Sequence, residues 1–142
     1  MYLREILAMR YVAAYCGAAI VFCVMDFIWL TKVAKNFYRA HMGELMAVEV
    51  KMVPAIIFYA LYLAGLVIFS ISPALREQSW QLVVGLGLLL GIVAYASYDL
   101  TNMATLKGWS ITLTLVDIAW GAFVSAVSAV AGFYAARLFS GN

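Results

Sequence analysis

The hydrophobic positions of this chain form four long runs, separated by short stretches that carry most of the charged residues. The runs cover residues 11–31, 52–71, 81–104 and 111–138. A helix needs roughly 20 mostly apolar residues to cross the hydrocarbon core of a membrane, and each run is long enough. The pattern therefore predicts four transmembrane helices, and the short connections make successive helices antiparallel.

The ends of the runs carry helix boundary signals. Pro54 falls in the first turn of the second helix, where a missing N–H costs little, and Ser72-Pro73 is expected to end that helix. Gly108 is suited to close the third helix and Ser110 to cap the fourth. These signals support the four predicted spans.

Residues 32–51 mix charged side chains with aromatic residues and methionines, a composition typical of a partly helical segment at the membrane interface. The predicted fold is therefore an all-α membrane protein. It is an antiparallel bundle of four transmembrane helices with a short interfacial segment after the first. Residues 1–142 form a single domain in this prediction.

Composition agrees with this fold. Hydrophobic residues make up 67% of the chain and charged residues 11%, whereas a soluble domain has roughly half and a quarter. The nine basic and seven acidic residues are scattered and give a net charge of +2, without a basic block for nucleic acid. We therefore expect membrane lipid around the protein and no nucleic-acid partner.

Three aspartates, Asp26, Asp99 and Asp117, interrupt the hydrophobic runs. The end of the first helix, the end of the third and the start of the fourth lie on the same membrane side. At about 1.5 Å rise per residue, each acid lies roughly 8 to 15 Å inside the nearest charged or tryptophan boundary. A charged side chain costs at least about 2 kcal/mol at such depth, so these acids are expected to face a shared interior pocket and to have partners.

Candidate partners lie at the same level. One face of the third helix holds two tyrosines, an acid and an asparagine at the spacing i, i+3, i+4, i+7. In the first and fourth helices, a tryptophan follows the acid by three residues. The candidate acid/base or proton-binding residues are Asp99, Asp26 and Asp117. The candidate ligand-binding residues are Tyr95, Tyr98, Asn102, Trp29 and Trp120.

Several other site types are not predicted. His41 is the only histidine, and no metal-ligand spacing surrounds it, so we expect no metal site. The chain lacks a phosphate-binding loop and a Ser/His/Asp set, and neither of its cysteines has a base beside it. The residues identify no cofactor.

Small residues recur at helical spacing in the third and fourth helices. Gly87 and Gly91 form a GxxxG pair, and Gly121, Ser125 and Ala129 form a small-xxx-small ladder. We expect these faces to pack helices within the bundle. A homodimer through the same faces is the second possibility.

Four motifs together resemble a family of small bacterial membrane proteins called domain of unknown function 2177, over nearly the whole chain. They are Asp26-Phe-Ile-Trp-Leu, Phe37-Tyr38, Tyr95-Ala-Ser-Tyr-Asp-Leu-Thr-Asn-Met-Ala-Thr-Leu-Lys-Gly-Trp109 and Val116-Asp-Ile-Ala-Trp-Gly121. The resemblance implies a multi-pass protein of the bacterial inner membrane and no particular activity. Seven residues match the motifs of that family: Asp26, Trp29, Tyr98, Asp99, Asn102, Asp117 and Trp120.

Three functions fit these observations. The favoured one is a one-sided pocket that binds or modifies a lipid-type or amphipathic small molecule, and whether the protein is an enzyme stays open. A small proton-coupled transporter, acting as a dimer, is the first alternative, although the apolar residues 82–94 fill the other half of the third helix. The second alternative is an accessory subunit whose acids form a structural network.

Overall fold

The computed structural model describes residues 2–47 and 49–139, and this part of the chain is helical without a strand. Its elements in order are α1 (Tyr2–Ile28), a π-helical turn (Trp29–Ala34), α2 (Lys35–Met42), a 3-10 turn (Gly43–Leu45), α3 (Met52–Leu66), a second π-helical turn (Val67–Ile71), α4 (Ser72–Arg76), α5 (Trp80–Thr105) and α6 (Ile111–Leu138).

Four helical stretches of the described residues are long and apolar enough to cross a membrane, which confirms the predicted fold class. They are Arg4–Met42, Met52–Arg76, Trp80–Thr105 and Ile111–Leu138.

The first of these stretches is longer than predicted. Instead of giving way to a separate interfacial segment after residue 31, the helix continues through the π-helical turn into α2 and ends at Met42. Its 39 residues exceed the roughly 20 that a bilayer core accommodates. Three of its basic residues, Lys32, Lys35 and Arg39, lie towards its carboxyl end. The interfacial segment is therefore partly a continuation of the first helix.

The second stretch also continues past its predicted end. Ser72-Pro73 does not end the helix, because α4 follows the π-helical turn Val67–Ile71 without a break and runs to Arg76. A proline ring clashes with the carbonyl four residues earlier in a regular α-helix. The wider π-helical turn lies at that point, and Pro73 falls in the first turn of α4, where its missing N–H costs little.

Helix α6 is the centre of the bundle and packs against both α1 and α5. A Cβ added at Gly132 would contact Ala14 and Ala18 of α1, whereas Trp120 hydrogen-bonds to Asp26 of the same helix. The residue numbers thus rise along α1 as they fall along α6. The two helices are antiparallel, as predicted.

The small-residue faces of α5 and α6 form a close seam within the chain. A Cβ on Gly87 would lie 2.9 Å from Cα of Ala126, and one on Gly91 would lie 2.3 Å from the carbonyl oxygen of Gly121. Gly87 and Gly91 of α5 are buried, as are Gly121, Ser125 and Ala129 of α6. Since these faces are occupied within one chain, a homodimer would need another surface, and the oligomeric state stays a prediction.

The apolar core begins at Phe22, one helical turn before Asp26, and extends through the half of the bundle away from the aspartates. Its fully buried side chains include Phe22, Leu66, Ile71, Val83 and Phe133. Polar and aromatic side chains occupy the other half, near the carboxyl end of α1 and the amino end of α6. The candidate site lies there.

Candidate functional site

All three aspartates are buried within the bundle, with exposed fractions of 6% for Asp26, 0% for Asp99 and 7% for Asp117. Asp26 of α1 and Asp117 of α6 line the same cavity of about 330 Å³. Asp117 also lies within electrostatic range of Asp26 and of Asp99 on α5. The tertiary structure therefore places the three acids at one level.

Asp26 accepts hydrogen bonds from two helices. Trp120 of α6 donates its indole N–H to one carboxylate oxygen at 3.2 Å, and the Tyr59 hydroxyl of α3 donates to the other. The Tyr59 ring is held by an edge contact with Phe22, with ring centroids 5.7 Å apart. An ionised carboxylate is an acceptor only, so this pair of donors suits the charged group.

Asp117 is the end of a short hydrogen-bonded chain. The Tyr38 hydroxyl of α2 donates to it and accepts a hydrogen bond from the Trp29 indole N–H at 3.4 Å. Trp29 begins the π-helical turn that leads into α2. π-Helical turns often occur at functional sites, and here the turn precedes the segment that carries Tyr38 over the pocket.

The two acid networks meet at a pair of stacked indoles. Trp29 and Trp120 have ring centroids 4.4 Å apart and planes within 9° of parallel. Because α1 and α6 are antiparallel, each Asp-x-x-Trp segment brings its tryptophan to the acid network of the other helix. The tryptophans therefore hold the acids across the helix interface, and neither indole N–H serves the acid of its own segment.

Helix α5, the predicted third transmembrane helix, contributes fewer residues to the cavity wall than the sequence predicted. Tyr95 and Tyr98 line the cavity, but Asp99 and Asn102 are not among its lining residues. Both carboxylate oxygens of Asp99 are buried without a hydrogen-bond partner. Of the predicted face, Tyr95 and Tyr98 thus line the cavity, Asp99 is fully buried behind it, and Asn102 is half-buried outside the cavity wall.

The Tyr95 ring depends on a glycine of the neighbouring helix. A Cβ added at Gly121 would lie 2.2 Å from the Tyr95 ring atoms. Only a residue without a side chain leaves room for this ring at the cavity wall. Gly121 therefore has a second role beside the close approach of α5 and α6.

Sequence reasoning missed two residues of the site as acid partners, Tyr38 and Tyr59. Tyr59 lies in the second hydrophobic run, which holds no acid, so the prediction built the pocket from only three helices. A tyrosine hydroxyl in such a run needs a hydrogen-bond partner, and this signal was available. The structure adds to the cavity wall Leu30, Tyr38, Ala55, Phe58, Tyr59 and Ala94.

A second cavity, of about 580 Å³, adjoins the first. The two share Tyr38, Tyr98 and Asp117 as lining residues. The second cavity is otherwise lined mainly from the connection between the first two helical stretches, including Met46 and Lys51. The pocket therefore lies beside the connection between the first two helical stretches.

The acids share a level without forming a metal-type cluster. Within residues 2–47 and 49–139, no three His, Cys, Asp or Glu side chains are grouped so that they could hold a metal ion. Asp26 instead accepts hydrogen bonds from a tyrosine and a tryptophan, and Asp117 accepts one from a tyrosine.

Comparison with known families confirms the resemblance drawn from the motifs. The chain belongs to the family described as Predicted membrane protein (DUF2177), whose sequence model matches residues 11–134. No curated protein and no solved structure matches the chain. The family description assigns a membrane protein and no activity, so the function has to be argued from the site.

Proposed function

We propose that this member of the DUF2177 membrane proteins binds a lipid-type or amphipathic small molecule in the cavity between its helices. The observation that carries the proposal is a cavity of about 330 Å³ at membrane depth with two buried carboxylates, Asp26 and Asp117, in an aromatic wall. Ligand sites are typically cavities of roughly 300–1,000 Å³, lined by apolar and aromatic groups with a few converging polar groups.

The wall is suited to a molecule with a polar and an apolar part. The polar part would lie at the two carboxylates. The apolar part would contact aromatic rings of three helices, those of Phe58 and Tyr59, of Tyr95, and of Trp120. Each of these rings is held by packing or by a hydrogen bond, so the wall is preorganised.

The adjoining cavity supports entry of the ligand from the side of the connection between the first two helical stretches. Tyr38 and Asp117 line both cavities and hydrogen-bond to each other, so their contact lies where the two spaces adjoin. A molecule that enters beside Lys51 reaches the inner cavity once Tyr38 turns aside. Membrane lipid is the natural reservoir of such molecules.

Chemistry on the bound molecule is a further candidate role of the acids. A carboxylate that accepts a hydrogen bond from a tyrosine can exchange a proton with a bound polar group through that hydroxyl. Asp26 with Tyr59 and Asp117 with Tyr38 are two such pairs. Asp99, buried behind them, is the third candidate proton site.

The packing of the opposite half of the bundle favours a one-sided pocket over a transport pathway. Farther from the acids, Gly87 of α5 packs closely against Ala126 of α6, and Phe133 is fully buried. A proton-coupled transporter needs its acids to be reached from both sides in turn. That alternative requires the seam to open, and the accessory-subunit alternative requires the cavity to hold no ligand.

Co-purification tests the binding proposal. The protein is purified in a mild detergent, and its bound small molecules are extracted and identified by mass spectrometry. Ala55→Phe fills the cavity from α3, whereas Ala60→Phe adds the same ring at an exposed position of that helix. We expect wild type and Ala60→Phe to carry the same molecule and Ala55→Phe to lose it. Equal content in all three proteins would contradict the proposal.

Lipid analysis of a deletion strain separates binding from modification. The strain is complemented with wild type, Asp99→Asn or Asp117→Asn, and its lipids are compared. A lipid product that appears only with wild type supports an enzyme. An unchanged profile in the deletion strain counts against modification and leaves binding to be decided by co-purification.

A further inference from the structure

We infer that the ligand of this cavity is an organic cation, an ammonium group attached to an apolar body. The inference rests on the proposed function and specifies its substrate class. It follows from the charge of the cavity, the direction of its hydrogen bonds and the nature of its walls.

The cavity wall carries acidic side chains, and no basic side chain among its described residues balances them. Asp26 and Asp117 are among its lining residues, and none of the described lining residues is Lys, Arg or His. Asp99, within electrostatic range of Asp117, is fully buried, and neither of its oxygens has a hydrogen-bond partner. Buried acids at membrane depth normally have a positive partner or a watery cavity.

The hydrogen bonds around the acids also favour a positively charged ligand. Tyr59 and Trp120 donate to Asp26, and Tyr38 donates to Asp117. These donors are neutral, so the acids gain hydrogen bonds without gaining an opposite charge. A positive group entering the cavity would supply the missing charge, whereas an anionic head group would meet two carboxylates and no cation.

The walls suit an ammonium group in particular. Aromatic rings attract a cation over their faces within about 6 Å of the centroid, and cages of such rings recognise quaternary ammonium groups. More than half of the lining residues are aromatic, namely Tyr38, Phe58, Tyr59, Tyr95, Tyr98 and Trp120.

The other sources of positive charge fit the cavity less well. The described acids do not group as metal ligands, which disfavours a metal ion. Lys51 lines only the adjoining cavity and is exposed. The missing positive charge is therefore assigned to the ligand.

Three small water-soluble probes of matched shape test the inference. Choline carries a trimethylammonium group, 3,3-dimethylbutan-1-ol is its neutral carbon isostere, and isethionate is an anion of similar length. Their binding to the purified full chain is measured by isothermal titration calorimetry in a non-ionic detergent. We expect choline to bind at least about tenfold more tightly than its isostere. A tenfold difference in Kd corresponds to about 1.4 kcal/mol, which a desolvated cation–π contact can supply. Isethionate is expected not to bind.

Variants locate the effect in the cavity. Asp117→Asn should remove most of the preference for choline, and Asp117→Glu should retain it. Ala55→Phe, which keeps both acids, should abolish choline binding. Glu77→Gln, at an exposed position outside the cavity, should bind as wild type does. Circular dichroism and size-exclusion chromatography confirm that each variant is folded.

The outcomes distinguish this inference from the proposed function. Equal affinity for choline and the neutral isostere, or a preference for isethionate, would overturn the cation assignment and leave a lipid-type ligand possible. Failure of all three probes to bind to folded wild type would overturn it as well. The proposed function would then still be decided by the molecules that co-purify with wild type and not with Ala55→Phe.

Discussion

Trp120 donates its indole N–H to Asp26 at 3.2 Å, across a sequence separation of 94 residues. The contact exists because α1 and α6 run antiparallel and bring two Asp-x-x-Trp segments side by side in opposite directions. The stacking of Trp120 on Trp29, with ring centroids 4.4 Å apart, completes a unit that joins both acid networks. This unit, Asp99 and the glycine seam each lead to a measurable prediction.

The stacked tryptophans should be energetically coupled. Aromatic pairs contribute about 0.5–1.5 kcal/mol beyond their buried area, and a double-mutant cycle isolates this coupling. We expect a coupling of that size between Trp29→Phe and Trp120→Phe in unfolding measured in detergent micelles. Trp80→Phe, at a half-exposed position on α5, should be additive with Trp120→Phe. Additivity of the two pocket variants would contradict the stack.

Removal of the Tyr59 hydroxyl should destabilise the protein. Tyr59→Phe leaves a buried carboxylate oxygen of Asp26 without that donor, and such a loss costs about 1–3 kcal/mol. Tyr134→Phe removes the same atom from a half-exposed ring of α6 and should change stability by less than about 0.5 kcal/mol. Denaturant unfolding of both variants measures the difference. Equal midpoints would show that the Tyr59 hydroxyl is not a required partner.

Neutralising Asp26 and neutralising Asp99 should have effects of opposite sign. Asp26→Asn turns one acceptor into an amide donor that faces the donors of Tyr59 or Trp120, and we expect a loss of about 1–3 kcal/mol. Asp99→Asn replaces a fully buried carboxyl group that has no hydrogen-bond partner by a group that cannot ionise, and we expect a gain of about 1 kcal/mol or more.

Thermal unfolding of the two aspartate variants gives the sign of each effect directly. If Asp99 serves the site, its variant will be more stable and yet less active, a trade-off common at functional positions. Destabilisation by Asp99→Asn would indicate a structural partner for this acid instead.

The glycine seam should not tolerate a methyl group. In Gly91→Ala the new Cβ would lie 2.3 Å from the Gly121 carbonyl oxygen, so the backbones of α5 and α6 must separate. Overpacking of this kind costs about 1–3 kcal/mol or more. Gly85→Ala on the same helix meets nothing within 4 Å and should stabilise the helix by about 0.5–1 kcal/mol. Similar melting temperatures for the two variants would contradict the seam.

Local sequence patterns were sufficient for the architecture. Long apolar runs have only one stable form in a bilayer, since every backbone N–H and C=O must be satisfied within the segment. The positions of Asp26, Asp99 and Asp117 within those runs then placed the acids at one depth. Both conclusions depend only on the length of each apolar run and on the rise per residue of a helix. Neither requires knowledge of how the helices pack.

Helix continuation was less predictable. Charged residues after residue 31 and Ser72-Pro73 were interpreted as ends, but π-helical turns carry the chain through both regions. Such a turn changes the helical register by one residue, and nothing in the local composition marks it. In the first helix, the turn leads into the segment that carries Tyr38.

The partners of the acids were decided by the tertiary structure alone. Adjacent residues on a helix point about 100° apart, so Tyr98 can line the cavity while Asp99 is buried behind it. Spacing defines a face of each helix but not the rotation of that face toward its neighbours. Only the packing of the helices decided that Trp120 donates to Asp26 and Tyr38 to Asp117. It also decided that α3 contributes a donor, Tyr59. The sequence determined that the polar site lies at one depth of a four-helix bundle, and the packing of the helices determined which groups meet there.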